Sequence, residues 1–190
     1  MKKFMRVMDG QRSNAGGFEY KLDLVNETDN WNPEETDPEK MGGFNFSTED
    51  KILRWIHRGD TIYDVIIPDN AEVILCNEEK GIYRSNKIIV TNPRELTDEV
   101  IIDLYNKTTL SNRVLAQCLQ VLLWKRKIEI SKFIINDRVN KENVDEFIFE
   151  YEEYIKKSDV FNYDELSSDA KIIYNMLLEI KKIRYKVKFV

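Results

Sequence analysis

Two glycines followed by alternating aromatic and polar residues constrain the fold more than any other stretch of this chain. Gly42 and Gly43 free the backbone for a tight turn. Phe44 and Phe46 then alternate with polar residues, which predicts a half-buried strand. Ser47 is a suitable N-cap for a helix over residues 48–57, which we expect to end at Gly59.

Three runs rich in β-formers follow this predicted helix. They cover residues 61–67, 71–76 and 82–90, with turn-forming residues between them, which predicts an antiparallel meander. Alternation also predicts strands over residues 3–8 and 18–24. We therefore expect residues 1–95 to form an α+β module built on a small, mostly antiparallel sheet.

The pattern changes after Val90, because everything downstream has helical periodicity. Thr97 and Ser111 are predicted to cap the first two helices of residues 96–190. Residues 128–134 either continue the second helix or form another after a break. Further helices are predicted over residues 140–157 and from Ser167 or Ser168, giving an all-helical region of four or five helices. The basic tail, residues 183–190, is either a late strand or a docking end.

Composition narrows the classes of function. The chain has 190 residues and a net charge of −5, which disfavours direct nucleic-acid binding. No apolar run is long enough to span a membrane, and no secretory leader is evident, so we expect a cytoplasmic protein without membrane contact. Cys76 and Cys118 lie in separate apolar patterns and are interpreted as free thiols.

An acidic stretch, residues 26–40, is the longest irregular segment and holds six acidic residues around a tryptophan. Loops of this length are usually functional or disordered. It is either a solvated excursion or a partner-binding loop anchored by its tryptophan, and mimicry of nucleic acid is a third possibility. The candidate partner-binding residues are Asp29, Trp31, Glu34, Glu35 and Asp37.

Signatures of common catalytic and metal sites are missing from the sequence. His57 is the single histidine, and there is no C-x-x-C pair, P-loop, dinucleotide fingerprint or nucleophile elbow. No metal site and no catalytic residue is therefore predicted.

Several short blocks, in order, resemble a poorly characterised module of giant-virus ankyrin-repeat proteins and of phage hypothetical proteins. The blocks are Gly17-Phe18-Glu19-Tyr20, Gly42-Gly43-Phe44-Asn45-Phe46-Ser47-Thr48, Gly59-Asp60, residues 65–73 and residues 83–90. The resemblance covers roughly residues 4–95. It implies a phage or virus setting and a protein that acts on a host system.

A second set of residues is similar in order to mono-ADP-ribosyltransferases: Arg6, Phe46-Ser47-Thr48 and Ile66-Ile67-Pro68. That family uses the arginine to clamp the pyrophosphate of NAD, and its serine orients a catalytic glutamate. Arg6, Ser47 and Thr48 are accordingly candidate nucleotide-binding residues. The strand that should carry Glu-x-Glu instead has Tyr83-Arg84-Ser85-Asn86, which leaves the family's essential carboxylate missing.

The sequence therefore predicts a non-enzymatic interaction protein without a cofactor. It would bind and modulate a host or viral protein, for example a component of a host-defence system such as CRISPR. The alternative is an NAD-dependent enzyme related to ADP-ribosyltransferases.

Overall fold

The computed structural model describes residues 2–13, 17–156 and 167–186. Contacts within the chain group it into two compact units, Met1–Thr109 and Leu110–Val190. The first unit therefore extends past the expected boundary at residue 95.

The first unit is built on one seven-stranded sheet. Its strands are β1 Phe4–Met8, β2 Val25–Glu27, β3 Phe44–Thr48, β4 Thr61–Ile66, β5 Val73–Asn77, β6 Ile82–Ser85 and β7 Lys87–Glu95. In the spatial order β2-β7-β4-β1-β3-β6-β5 they pair antiparallel with their neighbours, which confirms the α+β class.

The predicted meander is wrong, because the run over residues 82–90 is two strands. It breaks at Asn86, next to the Ser85 hydroxyl, which donates to the Lys87 carbonyl (2.7 Å) and accepts from the Lys87 N–H (3.2 Å). β6 then pairs with β3 and β5, whereas β7 pairs with β4 and β2. Uninterrupted β-propensity could not reveal this change of partner.

Two other local predictions are also corrected. Residues 18–24 form isolated bridges at Glu19 and Leu22 rather than a strand, and Asp23 has φ +59°, which interrupts extended backbone. Ser47 lies inside β3 and caps no helix. The next helix is a 3₁₀ helix, Ile52–Arg58, which ends at Gly59 as expected.

Aromatic residues dominate the core of the first unit. Phe46 contacts Phe4 edge-on at 5.1 Å and stacks on Tyr83 at 5.6 Å between ring centres. The buried cluster contains Met8, Tyr20, Phe44, Phe46, Tyr63, Val65, Tyr83, Ile88 and Val90. The 3₁₀ helix contacts β1 and buries Ile52, Leu53 and Ile56.

The helices match the capping signals closely. In the first unit, α1 spans Asp98–Asn106; in the second, α2 spans Asn112–Trp124, α3 Ile128–Arg138, α4 Val144–Lys156 and α5 Ser168–Lys186. Thr97 and Ser111 accept hydrogen bonds from the N–H groups of Val100 and Val114, which confirms both predicted caps. The helical backbone is interrupted between α2 and α3, where Arg126 has φ +58°. Residues 128–134 therefore belong to a separate helix. Because α5 runs to Lys186, the late strand is wrong for residues 183–186; residues 187–190 lie outside the described part.

Candidate functional site

A small cleft, partly open to solvent, lies between β1, β3 and the 3₁₀ helix. We call it the arginine cleft. It brings together two of the candidate nucleotide-binding residues, Arg6 and Ser47. Its full lining is Arg6, Val7, Asn45, Phe46, Ser47, Ile52, Trp55, Arg58 and Ile82.

Arg6 is a buried cation, with 7% of its surface exposed. Its Nη1 donates to the backbone and side-chain oxygens of Asn45, and its Nη2 donates to the Ser13 hydroxyl at 3.2 Å. The guanidinium lies 4.9 Å from the centre of the Tyr20 ring. Its Nε has no hydrogen-bond partner among the described residues. Burial, together with the nearby charges of Arg84 and Arg58, lowers the pKa of Arg6, and Tyr20 opposes that shift.

Ser47 is fully buried, and its hydroxyl has no partner among the described residues. A buried hydroxyl without a partner is uncommon in a folded protein, since leaving it unpaired costs roughly 1–3 kcal/mol. Ser47 belongs to the lining of the arginine cleft, and its Oγ lies 2.8 Å from the position that a Cβ on Gly81 would take.

Trp55 and Arg58 complete the cleft, and the sequence analysis missed both. The guanidinium groups of Arg54 and Arg58 each lie 5.6 Å from the centre of the Trp55 ring. The Trp55 indole N–H and the Arg58 Nε are buried and have no partner within the described part of the chain. Two arginines flanking a tryptophan at positions i, i+1 and i+4, opposite an apolar face, were the available signal.

Arg84 adds a third positive charge near the cleft. Its Nη1 donates to the Gly42 carbonyl at 2.9 Å, and its buried Nε has no partner among described residues. Burial lowers the pKa of Arg84; Cys76 opposes the shift and Arg58 reinforces it. Arg84 lies in β6, and no carboxylate belongs to the described lining of the cleft.

The structure separates Thr48 from the other two candidates. Thr48 lines a second and larger cleft, whose described lining mixes lysines and acids. There the Glu49 carboxylate lies 3.4 Å from Lys3 Nζ and 3.3 Å from Lys107 Nζ. Neighbouring residues of a strand face opposite sides of the sheet, which accounts for the separation of Thr48 from Ser47.

The acidic stretch is a closed loop rather than an open excursion. The Gly43 N–H donates to the Asn30 carbonyl (2.7 Å), and the Asn32 N–H donates to the Met41 carbonyl (2.9 Å), so the two ends of the loop are joined. Trp31 is half-buried, and its indole N–H donates to Glu72 Oε2 at 2.7 Å. Trp31 therefore holds the loop onto the first unit.

The other candidate partner-binding residues differ in exposure. Asp29 and Glu34 are exposed, as is their neighbour Glu39, whereas Glu35 and Asp37 are half-buried. Glu35 accepts the Asp37 N–H and Asp37 accepts the Glu39 N–H, each at 3.0 Å. The half-buried acids thus shape the turns, and the exposed ones are presented to solvent.

Other chemistry-bearing residues form no site. Cys76 is half-buried and Cys118 is buried, and neither forms a disulfide. The His57 ring contacts the Arg54 carbonyl at 3.1 Å. Within residues 2–13, 17–156 and 167–186, no group of three potential metal ligands occurs, and no helix has the length and apolarity needed to cross a bilayer.

Compared with known proteins, the chain matches no protein-family model, no curated protein and no solved structure.

Proposed function

We propose that this chain is a non-enzymatic interaction protein, of the phage or virus type that its first unit resembles, which binds and modulates a host or viral protein such as a component of a host-defence system. The observation that carries the proposal is the acidic loop, whose ends and turns are tied by hydrogen bonds while Asp29, Glu34 and Glu39 remain exposed. A preordered loop loses little conformational entropy when a partner binds.

The charge of the loop defines the kind of partner surface it fits. Residues 26–40 contain six acidic residues and one lysine. Such a surface attracts a basic partner and accelerates their encounter, and salt screens the attraction. We therefore propose a protein partner with a basic patch.

The alternative, ADP-ribosyl transfer from NAD, would need a carboxylate to stabilise the developing positive charge of the ribose. The described lining of the arginine cleft supplies cations in its place.

The test replaces the three exposed acids, as Asp29→Asn, Glu34→Gln and Glu39→Gln together. We expect capture of the partner from a bacterial lysate to fall by about tenfold, since losing rim charges mainly slows association. Raising the salt concentration should weaken wild-type capture and leave the triple variant nearly unchanged. Quantitative mass spectrometry of the captured proteins measures both effects.

A matched control neutralises three exposed glutamates of the second unit, Glu142, Glu146 and Glu179, to glutamine. This control has the same net charge as the loop variant and should retain capture. Equal loss in both variants would make net charge the cause and exclude the loop. The proposal would be refuted if the wild-type protein captured no lysate protein, or captured one whose binding did not weaken as the salt concentration rose.

A further inference from the structure

One edge of the sheet, the strand β5, has no neighbour on its outer side among the described strands. β5 is the last strand in the spatial order of the sheet, and within the described part of the chain it pairs with β6 alone. An unpaired edge presents backbone N–H and C=O groups that another extended chain can use. Val73 and Leu75 also expose 40% and 43% of their apolar surface. β5 therefore has the two features that the addition of a further strand requires.

Backbone hydrogen bonds show which way the residues of β3 and β6 point. The Glu49 N–H, directly after β3, donates to the Lys3 carbonyl at 2.9 Å, on the side of β1. In an antiparallel sheet, the backbone groups of successive residues point alternately to one neighbouring strand and to the other. Counting back from Glu49, the backbone of Phe46 therefore points to β6, where Phe46 lies opposite Tyr83. The backbone groups of Tyr83 in turn point to β3.

The same alternation continues into β5. The backbone of Arg84, the next residue of β6, points to β5, where Arg84 lies opposite Ile74. Val73 and Leu75, on either side of Ile74, then direct their own N–H and C=O groups away from the sheet. A register shift between Leu75 and Asn77 ends the regular edge, which thus offers two outward donors and two outward acceptors. A short extended segment is enough to use all four groups.

Acidic residues flank this edge at both ends. Glu72 comes directly before the strand, and Glu78 and Glu79 follow it. All three are exposed, and residues 72–79 contain no basic residue. The Trp31 indole N–H donates to Glu72 Oε2 at 2.7 Å, which places the acidic loop beside the start of β5. A second copy of the chain fits this edge poorly, because antiparallel pairing of two β5 strands about their midpoint brings Glu72 of one copy opposite Glu78 of the other, and like charges in opposite positions are destabilising.

We propose that β5 binds an extended, basic segment of a partner protein, which adds to the seven-stranded sheet as a further strand. The outward backbone groups of Val73 and Leu75 supply the hydrogen bonds, and their side chains cover apolar residues of the segment. The flanking glutamates attract its lysines or arginines. This inference rests on the proposed function, because it names the part of the basic partner that is bound.

The direct test titrates the full chain with a short synthetic peptide of alternating lysine and valine, followed by calorimetry. We expect saturable binding with a Kd below about 1 mM. The control is the same peptide with every amide nitrogen methylated, which keeps the charges and side chains but cannot donate to β5. The methylated peptide should bind about fivefold more weakly or worse. Equal binding of the two peptides would overturn the proposal, since charge alone would then hold them, and so would a Kd above about 1 mM for the unmethylated peptide.

Val73→Pro removes one of the outward N–H groups from the protein. Proline is tolerated at the first residue of an edge strand when its nitrogen faces away from the ladder, so the unfolding midpoint should show a folded variant. Its affinity for the peptide should fall about fivefold or more. Val73→Thr is the matched control, because it keeps the N–H and the branched side chain, and its affinity should stay within a factor of about two.

Leu75→Lys keeps the test decisive if Val73→Pro fails to fold. It places a positive charge against the lysines of the peptide and should weaken binding several-fold. Unchanged affinity in the folded variants would overturn the proposal.

Capture from a bacterial lysate separates this inference from the proposed function. Loss of salt-sensitive capture in Val73→Pro, with capture retained in Val73→Thr, would make β5 part of the partner site. If the wild-type protein and Val73→Pro capture the same partner equally, the strand inference is wrong and the proposed function stands. If the peptide binds β5 but the wild-type protein captures no lysate protein, the proposed function is wrong and the assignment of a peptide site to β5 stands.

Discussion

Gly43 lies where the acidic loop meets the sheet. Its φ is +69°, and a Cβ there would lie 2.5 Å from Trp31 Cε3 and 2.7 Å from the Ser85 carbonyl oxygen. We expect Gly43→Ala to destabilise the protein by roughly 1–3 kcal/mol, because it combines a left-handed backbone with a steric clash. Urea unfolding followed by tryptophan fluorescence measures the change.

Gly17→Ala separates the two causes. Gly17 has a similar φ of +65° and nothing within 4 Å of the added Cβ. Gly17→Ala should therefore lose only the free energy that a left-handed backbone costs an alanine, and it should destabilise the protein less than Gly43→Ala. Equal destabilisation by both substitutions would show that the contact with Trp31 contributes nothing.

Single residues show where sequence reasoning about the cleft worked and where it stopped. The order of Arg6 and Ser47 along the chain sufficed to pair them, since adjacent antiparallel strands bring such residues together. Thr48 follows Ser47 directly in the sequence, but it lines the second cleft. Arg58 is not predictable as a cleft residue, because a sequence pattern shows the face of a helix but not the cleft beside it.

At the scale of elements, Asp50 links the start of the 3₁₀ helix to the end of α1. Its side chain accepts a hydrogen bond from the Thr109 hydroxyl, and its backbone carbonyl accepts the Thr108 hydroxyl at 2.9 Å. Burial raises the pKa of Asp50, but the hydrogen bonds from Thr109 and Thr48 outweigh it, so the pKa lies below its ordinary 3.8. The folded state therefore favours the ionised carboxylate.

This shift predicts a defined pH dependence. A depressed carboxylate pKa stabilises the fold above the unfolded value and loses that contribution as the pH falls through the folded value. Asp50→Asn should cost about 1 kcal/mol at neutral pH, a value reduced for partial exposure, and progressively less as the pH falls below 3.8. Urea midpoints at several pH values measure this difference between wild type and variant.

Asp69→Asn, in the exposed turn after β4, is the control and should behave as wild type throughout. If the difference in urea midpoint between wild type and Asp50→Asn stayed constant down to the lowest pH, the ionised Asp50 carboxylate would not be the stabilising group.

The predicted elements differ in accuracy for a physical reason. The caps at Thr97 and Ser111 are local, since the hydroxyl bonds an N–H three residues later, and both were predicted correctly. The break at Asn86 instead depends on which strands β6 and β7 pair with, far away along the chain. A helix cap can be predicted from a few neighbouring residues, whereas the partner of a strand depends on residues far away in the sequence.

At the scale of the whole molecule, the division of the chain follows contacts rather than composition. The change to helical periodicity placed a boundary at residue 95, but α1 and the following threonines group with the sheet. α1 contacts the 3₁₀ helix, and the Thr109 N–H donates to the Asp50 carbonyl at 3.0 Å. A helix that belongs to a β-rich unit has the same sequence pattern as one that belongs to a bundle.

This grouping predicts how two fragments of the first unit should compare. Fragment 1–109 retains α1 with its buried Ile101 and Leu104, and fragment 1–95 loses them. Each such side chain contributes roughly 1.5–3 kcal/mol when buried, against a total stability of about 5–15 kcal/mol for a typical domain. Fragment 1–109 should therefore unfold cooperatively at a clearly higher urea midpoint than fragment 1–95, as followed by circular dichroism. Fragment 1–109 carrying Leu104→Ala should fall between them, and equal midpoints for the two fragments would place the boundary back at residue 95.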